Sequence, residues 1–496
     1  MKESIGSKFF KVYRLLFYLF LGGTLAFGRS FSILHLKTNF FPLFITEIIL
    51  LISLPFLFVS WRKIFELPRI FLITLTIYSF FSLFYLVLGI LSRNPYALRD
   101  IVLSGYTLFI FLSFVIFSHE KQIKQFIFIL ALANLIGMIA GRIFIINIGS
   151  PEFQKSIIYT IKPTNFGLNY GIAIAFLISF FAFVKKRLFL FLMLFALTLN
   201  LYLLFIMGIR TLWLAGFFEV VFLFLILKIR NSLALIKLFP LMLLIFGVLY
   251  TLDQNYLMQS KEDIISKRDI ILTKIQSLKF FIANPVTTND GLSNQPQRFS
   301  KISGFDKYKK NGSDESSVSV KVETPQKVPR KFAEFFDSII WRLNLWKQAI
   351  DFGMENPLLG RGFGVYPAYI LWGYFAPGPK KFDLDSGVTP THNHLVTIFY
   401  KMGFLGLGLF LLINIYTLIF ALRYLKKCNL EYTRFFLIGL LGAFLFWHLE
   451  ALFYDIIDSP PTNIFLWIIM GLIFAAIKTD KEDAASSQKP NKCLGK

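Results

Sequence analysis

The sequence predicts an all-α polytopic membrane protein with about 12 transmembrane helices, and three observations predict it. Of 496 residues, 56% are hydrophobic and 18% aromatic, with 61 phenylalanines. The apolar residues gather into runs of roughly 18–25, the length that crosses a bilayer as helix. Lysine and arginine, which set a net charge of +23, fall mainly in alternate loops. The short alternating runs that mark a membrane β-barrel are absent.

Taken in order, the spans read at about 12–28, 40–60, 69–91, 101–117, 123–148, 165–184, 188–207, 211–227, 233–251, 395–421, 435–454 and 461–478. Lys2, Lys8, Lys11 and Arg14 give the first span the basic start of a signal peptide. No small-residue cleavage site follows, so it is read as an uncleaved helix. With the N-terminal segment set inside, the inside loops hold Arg62, Lys63, Arg69, Lys121, Lys124, Lys185, Lys186, Arg187, Lys228, Arg230, Lys237, Arg423, Lys426, Lys427 and Arg434. The short outside loops hold Arg29, Lys37, Arg93, Arg99, Lys155, Lys162 and Arg210. This asymmetry places both termini in the cytoplasm. The charge is therefore topological, and without a basic-aromatic module it does not indicate nucleic acid. Cys428 and Cys493 both fall inside, which argues against a structural disulfide and against thiol chemistry at the outer face.

The chain then divides into spans one to nine (1–251), one large outside segment (252–394), spans ten to twelve (395–478) and a cytoplasmic tail (479–496). Within the outside segment, 258–282 has the pattern of an amphipathic helix on the membrane surface. Residues 284–331 lack apolar periodicity and read as disordered. Helical spacing returns over 332–355 through Phe335, Phe336, Ile339, Ile340, Leu343, Trp346 and Ile350, and Asn356-Pro357 ends it. There is no internal repeat, and the paired broken helices of many transporters are not evident.

Chemistry concentrates where this segment re-enters the membrane, at NPLLGRGFGVYP and THNHLVTIFYKMGFLGLG. His392 can take a proton from an attacking hydroxyl, with Asn393 orienting it or the substrate. Read alone, His392 is as readily a solvated helix start. Gly403 and Gly406 let a backbone or a lipid chain pack close to the helix that follows. His394 would face away from His392 and reads as a bystander. Arg210, in the tight turn MGIRT, and Arg342, between Trp341 and Trp346, can each clamp a phosphate bidentately; snorkelling to headgroups and an interfacial aromatic belt are the plainer readings. Arg361 lies in a turn with Gly360 and Gly362 whose amides can cradle an anion. Arg142, His448 and Glu450 are ionisable groups inside spans, explained equally by pairing within the bundle. Asp383, Asp385, Asp455 and Asp458 form no compelling metal-ligand set, so neither a metal nor another cofactor is expected.

Together these positions resemble the O-antigen ligase and polymerase superfamily of bacterial inner membranes. The resemblance rests on Arg210 after an apolar span, on W-R-x-x-x-W-x-x-A-I followed by NPLLGRGFGVY, and on His392-Asn393 with Gly403 and Gly406. It covers about 205–216 and 338–410 strongly, and elsewhere only hydropathy agrees; the polar insert at about 284–331 departs from the family pattern. The resemblance implies a GT-C-like membrane fold and an inverting, metal-independent glycosyl transfer at the periplasmic face. The donor would be a glycan on undecaprenyl diphosphate and, in ligases, the acceptor a lipid A-core hydroxyl. Arg210 and Arg342 would hold the diphosphate, and His392 would activate the acceptor. The single large outer loop favours a ligase over a chain-extending polymerase. A protein O-oligosaccharyltransferase and a transporter or flippase are the remaining alternatives.

Overall fold

The computed structural model describes residues 5–28, 31, 34–37, 42–92, 94, 96–147, 164–181, 183–207, 209–227, 240–251, 330–371, 374–381, 387–389, 391–454, 457 and 460–487. The first half comprises α1 (Ile5–Phe27), a small hairpin of β1 (His35–Lys37) and β2 (Pro42–Phe44), α2 (Ile45–Val59), α3 (Trp61–Ile64) and α4 (Arg69–Leu91). It continues through α5 (Tyr96–Asp100), α6 (Val102–Gly105), α7 (Leu108–Ile116), α8 (Glu120–Asn147), α9 (Thr164–Phe181), α10 (Arg187–Ile206) and α11 (Arg210–Leu227). Then come α12 (Pro240–Thr251), α13 (Arg330–Met354), strands β3 (Val365–Leu371), β4 (Tyr374–Lys381) and β5 (Gly387–Thr389), α14 (His394–Leu425), α15 (Glu431–Ala451) and α16 (Pro460–Ser487).

Among the described residues nine helical segments are long and apolar enough to cross a membrane, and three shorter apolar helices, Ile45–Val59, Gly167–Phe181 and Pro240–Thr251, fall on other predicted spans. The chain is thus a predominantly helical polytopic membrane protein. Its core lies where α9, α15 and α16 are enclosed by the rest. Small residues allow that closeness: Gly171 faces the Phe446 ring and Gly442 faces Leu223, as expected where packing rather than water exclusion holds helices together. Large side chains such as Phe58, Phe80, Phe217 and Leu225 point outward and are exposed, which suits a lipid surround and not water.

Two features depart from the sequence reading. The fourth predicted span, 101–117, is broken into α6 and α7, with the short helix α5 just ahead of it. Irregular backbone at that depth is tolerated because it is buried in protein: Val102, Leu103, Tyr106 and Phe109 are all buried. The stretch ahead of His392, in a chain expected to be all-α, contains a three-stranded antiparallel sheet in the order β4-β3-β5. β3 pairs β4 from Val365↔Lys381 to Leu371↔Tyr374, with a bulge between Tyr366 and Ala368. These strands lack the apolar alternation that would have announced them. The predicted surface helix at 258–282 lies outside the described residues, as does the 284–331 insert up to residue 329. Residues 330–331 already belong to α13.

The loop Lys426–Leu430, between α14 and α15, is fastened by one carboxylate. Asp480 accepts from Tyr424 Oη at 2.7 Å, Asn429 N at 3.1 Å and Leu430 N at 2.9 Å. It also faces Cys428 Sγ at 3.4 Å. Burial, with Asp480 adding to it, pushes the Cys428 thiol up to about 12, so its reactive thiolate is scarce at neutral pH. A topology test by thiol labelling therefore needs introduced cysteines at exposed sites. With the positive-inside orientation, Ser92→Cys should react with an impermeant maleimide in right-side-out vesicles, and Lys426→Cys only after permeabilisation. The reverse pattern would invert the topology.

Candidate active site

The residues singled out by sequence gather at one end of the bundle. Arg210 is the first residue of α11 and is exposed. Arg342 sits midway along α13, half-buried. The two guanidinium groups are close enough to sense each other's charge, and Arg342 also senses Tyr454, just beyond α15. Burial lowers the Arg342 pKa, with Tyr454 acting the other way. Its Nε is buried and has no hydrogen-bond partner among the described residues. One turn on, on the same face of α13, Trp346 donates Nε1–H to the carbonyl of Thr391 at 2.7 Å. That bond ties the arginine helix to the residue before His392.

His392 is half-exposed and has φ 54°, a left-handed conformation that costs a non-glycine residue about 1–2 kcal/mol. Its neighbours hold it there. Thr391 Oγ1 donates to the carbonyl of Asn393 at 2.9 Å. The Asn393 side chain caps α14, its Oδ1 accepting from Leu395 N at 3.0 Å and Val396 N at 3.1 Å. Asn393, expected to orient His392 or a substrate, thus turns its acceptor to the backbone, a cap worth about 1 kcal/mol. His394, read as a bystander, points into the bundle. It is buried, with Nε2 3.4 Å from His448 Nδ1.

The glycine-rich turn is a clasp, and here the expected anion cradle does not form. The Arg361 amide donates to the carbonyl of Tyr400 at 2.8 Å and the Gly362 amide to that of Lys401 at 2.9 Å. Phe404 N returns a bond to the carbonyl of Pro357 at 2.7 Å. Arg361 itself pairs with Glu355 and donates Nε–H to the carbonyl of Phe352 at 2.7 Å. The turn has closed onto α14 where that helix kinks at Gly403, φ 64°. A Cβ on Gly403 would lie 2.3 Å from the carbonyl oxygen of Leu358, and one on Gly360 2.6 Å from Gly403 N. Both glycines are needed for this approach and for their left-handed φ. Gly406 abuts the Met402 side chain.

Beneath the clasp lies a pair the sequence reading missed. Lys401 Nζ is 2.6 Å from Asp100 Oδ1, and both side chains are 2% exposed. Asp100 Oδ2 also accepts the Gly364 amide at 2.7 Å, and Lys401 sits 4.7 Å from the centre of the Tyr366 ring. Asn94 Nδ2 donates to the Gly364 carbonyl at 2.9 Å. An ionisable residue inside a predicted span was the signal available for Lys401. Glu219, on α11, gave the same signal; it is fully buried, with no partner for its carboxylate oxygens among the described residues.

No three of His, Cys, Asp and Glu converge to hold a metal ion among the described residues; Asp383, Asp385, Asp455 and Asp458 lie outside them. Arg142 is on α8, and its side chain too lies outside what is described.

Fold and site together define a polytopic membrane protein with paired guanidinium groups and a histidine at one end of its bundle. The sequence model of the family described as O-antigen ligase matches residues 195–411, a stretch containing Arg210, Arg342 and His392, and this similarity supports the O-antigen ligase superfamily. The superfamily indicates O-antigen ligase-type glycan transfer, with lipid-linked glycans and lipid A-core as partners in general. Comparison with curated proteins gave no match.

Removing one partner of a buried ion pair strands the other. Lys401→Met should therefore destabilise the protein by about 3–5 kcal/mol, read as a lowered Tm in detergent. The double variant Asp100→Asn/Lys401→Met should recover most of it. Gly403→Ala should lower the Tm as well, with no second-site rescue from the ion pair.

Proposed function

We propose that the protein transfers a glycan from undecaprenyl diphosphate to a lipid A-core sugar hydroxyl at the periplasmic face of the bacterial inner membrane. The observation that carries this reading is the Arg210–Arg342 pair, two like charges held near each other with a buried, unsatisfied Arg342 Nε. An anion between the two cations would relieve their mutual repulsion. A diphosphate leaving group is such an anion, and its developing charge is what a fixed pair of guanidinium groups stabilises. His392 then takes the proton from the acceptor hydroxyl, which attacks the anomeric carbon as the glycosyl–phosphate bond breaks. Direct displacement inverts that carbon, and two arginines in the metal's usual place leave no metal required.

Arg210→Ala or Arg342→Ala should remove about 2–4 kcal/mol of transition-state stabilisation, or roughly 10²–10³ in rate. Lysine at either position should restore little, since an ammonium lacks the planar fork. Full turnover in Arg342→Ala with normal expression would refute its diphosphate role. His392→Ala should lose about 10²–10⁴ in turnover while binding the donor lipid normally; parallel loss of donor binding would move His392 to the donor side. Turnover of the purified protein should survive EDTA. A deletion strain separates ligase from polymerase: unattached long chains on the lipid carrier indicate the ligase, and core bearing one repeat unit indicates the polymerase.

A further inference from the structure

Nothing in the proposed reaction uses the polar chain buried beneath His392. His394 opens α14 and is 2% exposed. Its Nε2 lies 3.4 Å from His448 Nδ1, and His448 Nε2 lies 2.9 Å from Asn414 Oδ1. The far end sets the direction. Asn414 Nδ2 donates to the carbonyl of Phe410 at 2.7 Å, which turns Oδ1 toward His448 as an acceptor. His448 therefore carries its proton on Nε2 and offers the Nδ1 lone pair to an N–H of His394. Aromatic rings enclose the chain: Trp447 stands 5.7 Å from His394 and Phe444 4.6 Å from His448, centre to centre. In a lining this apolar, hydrogen bonds hold their geometry firmly.

The backbone supplies an independent reason for the chain. A left-handed residue such as His392 (φ 54°) persists only where its surroundings over-determine it. On the upstream side Trp346 holds the carbonyl of Thr391. On the downstream side the Asn393 cap fixes the helix to itself, and His394 fixes it to the neighbouring helix α15 through His448 and Trp447. We propose that His394, His448 and Asn414 are positioning residues: they seat the first turn of α14 in the bundle and so hold His392 in its left-handed pose at the site. This rests on the reading of His392 as the acceptor-side base.

His448→Phe keeps a ring in place and deletes both bonds. In the purified full-length protein, turnover should fall about tenfold to a hundredfold, the scale of a misplaced catalytic group, with the donor KM unchanged. His448→Asn, which puts an acceptor oxygen close to the Nδ1 position, should recover part of the loss. Wild-type turnover in His448→Phe, or losses shared equally between kcat and donor binding, would overturn the proposal. A measurement on the unmodified protein guards against simple misfolding. The chain has five histidines, so ¹⁵N-histidine spectra can assign each tautomer; His448 should be the Nε2–H form and lose that preference in Asn414→Leu. An Nδ1–H His448 would overturn it. If His392→Ala stays active, the base reading falls first. If His392→Ala is inactive and His448→Phe is not, the positioning inference alone falls.

Discussion

The buried contact between Asp100 and Lys401 is the constraint on which the site end of the molecule depends. One carboxylate at the broken fourth span meets a cation on α14 and the amide of Gly364 at once. The glycine-rich turn is thereby pinned between the first and last thirds of the chain. From there the turn's amides reach the carbonyls of Tyr400 and Lys401, and the kink at Gly403 is filled by backbone. Isolated buried ion pairs are weak stabilisers, but this one has backbone and aromatic partners as well. Its role is to fix one arrangement of turn, kink and helix start.

That arrangement explains how a site can be built from distant segments. α11 brings Arg210, α13 brings Arg342, and the α13–α14 connection brings His392. Trp346 couples two of these through a single bond to Thr391. The cations sit on helices and the histidine on a strained residue between anchors. Rigid supports suit a pair of like charges, which would separate if either were free to do so.

Hydropathy made the membrane-crossing plan legible, since span length and loop charge follow directly from the bilayer. The site residues were legible as residue types at a membrane boundary, where imidazole and guanidinium are expensive without a task. What escaped was tertiary. Asp100 and Lys401 lie 301 positions apart, and no local pattern pairs them. The glycines of the turn read equally well as an anion cradle or a clasp until the partners of its amides are seen. The burial of His394 against His448 is likewise a tertiary contact that spacing along one helix does not show. β3, β4 and β5 carried no alternation, so the sheet ahead of His392 had no signature.

The long reach of the ion pair has a consequence for how the protein is made. Asp100 leaves the ribosome 301 residues before Lys401. Through most of synthesis the fourth span must reside in or at the bilayer without the Lys401 cation. Breaking that span into short helices leaves it marginal on its own, able to wait near the interface. Final seating can then occur only when the tenth span arrives, so membrane insertion of an early segment is completed by the arrival of a late one.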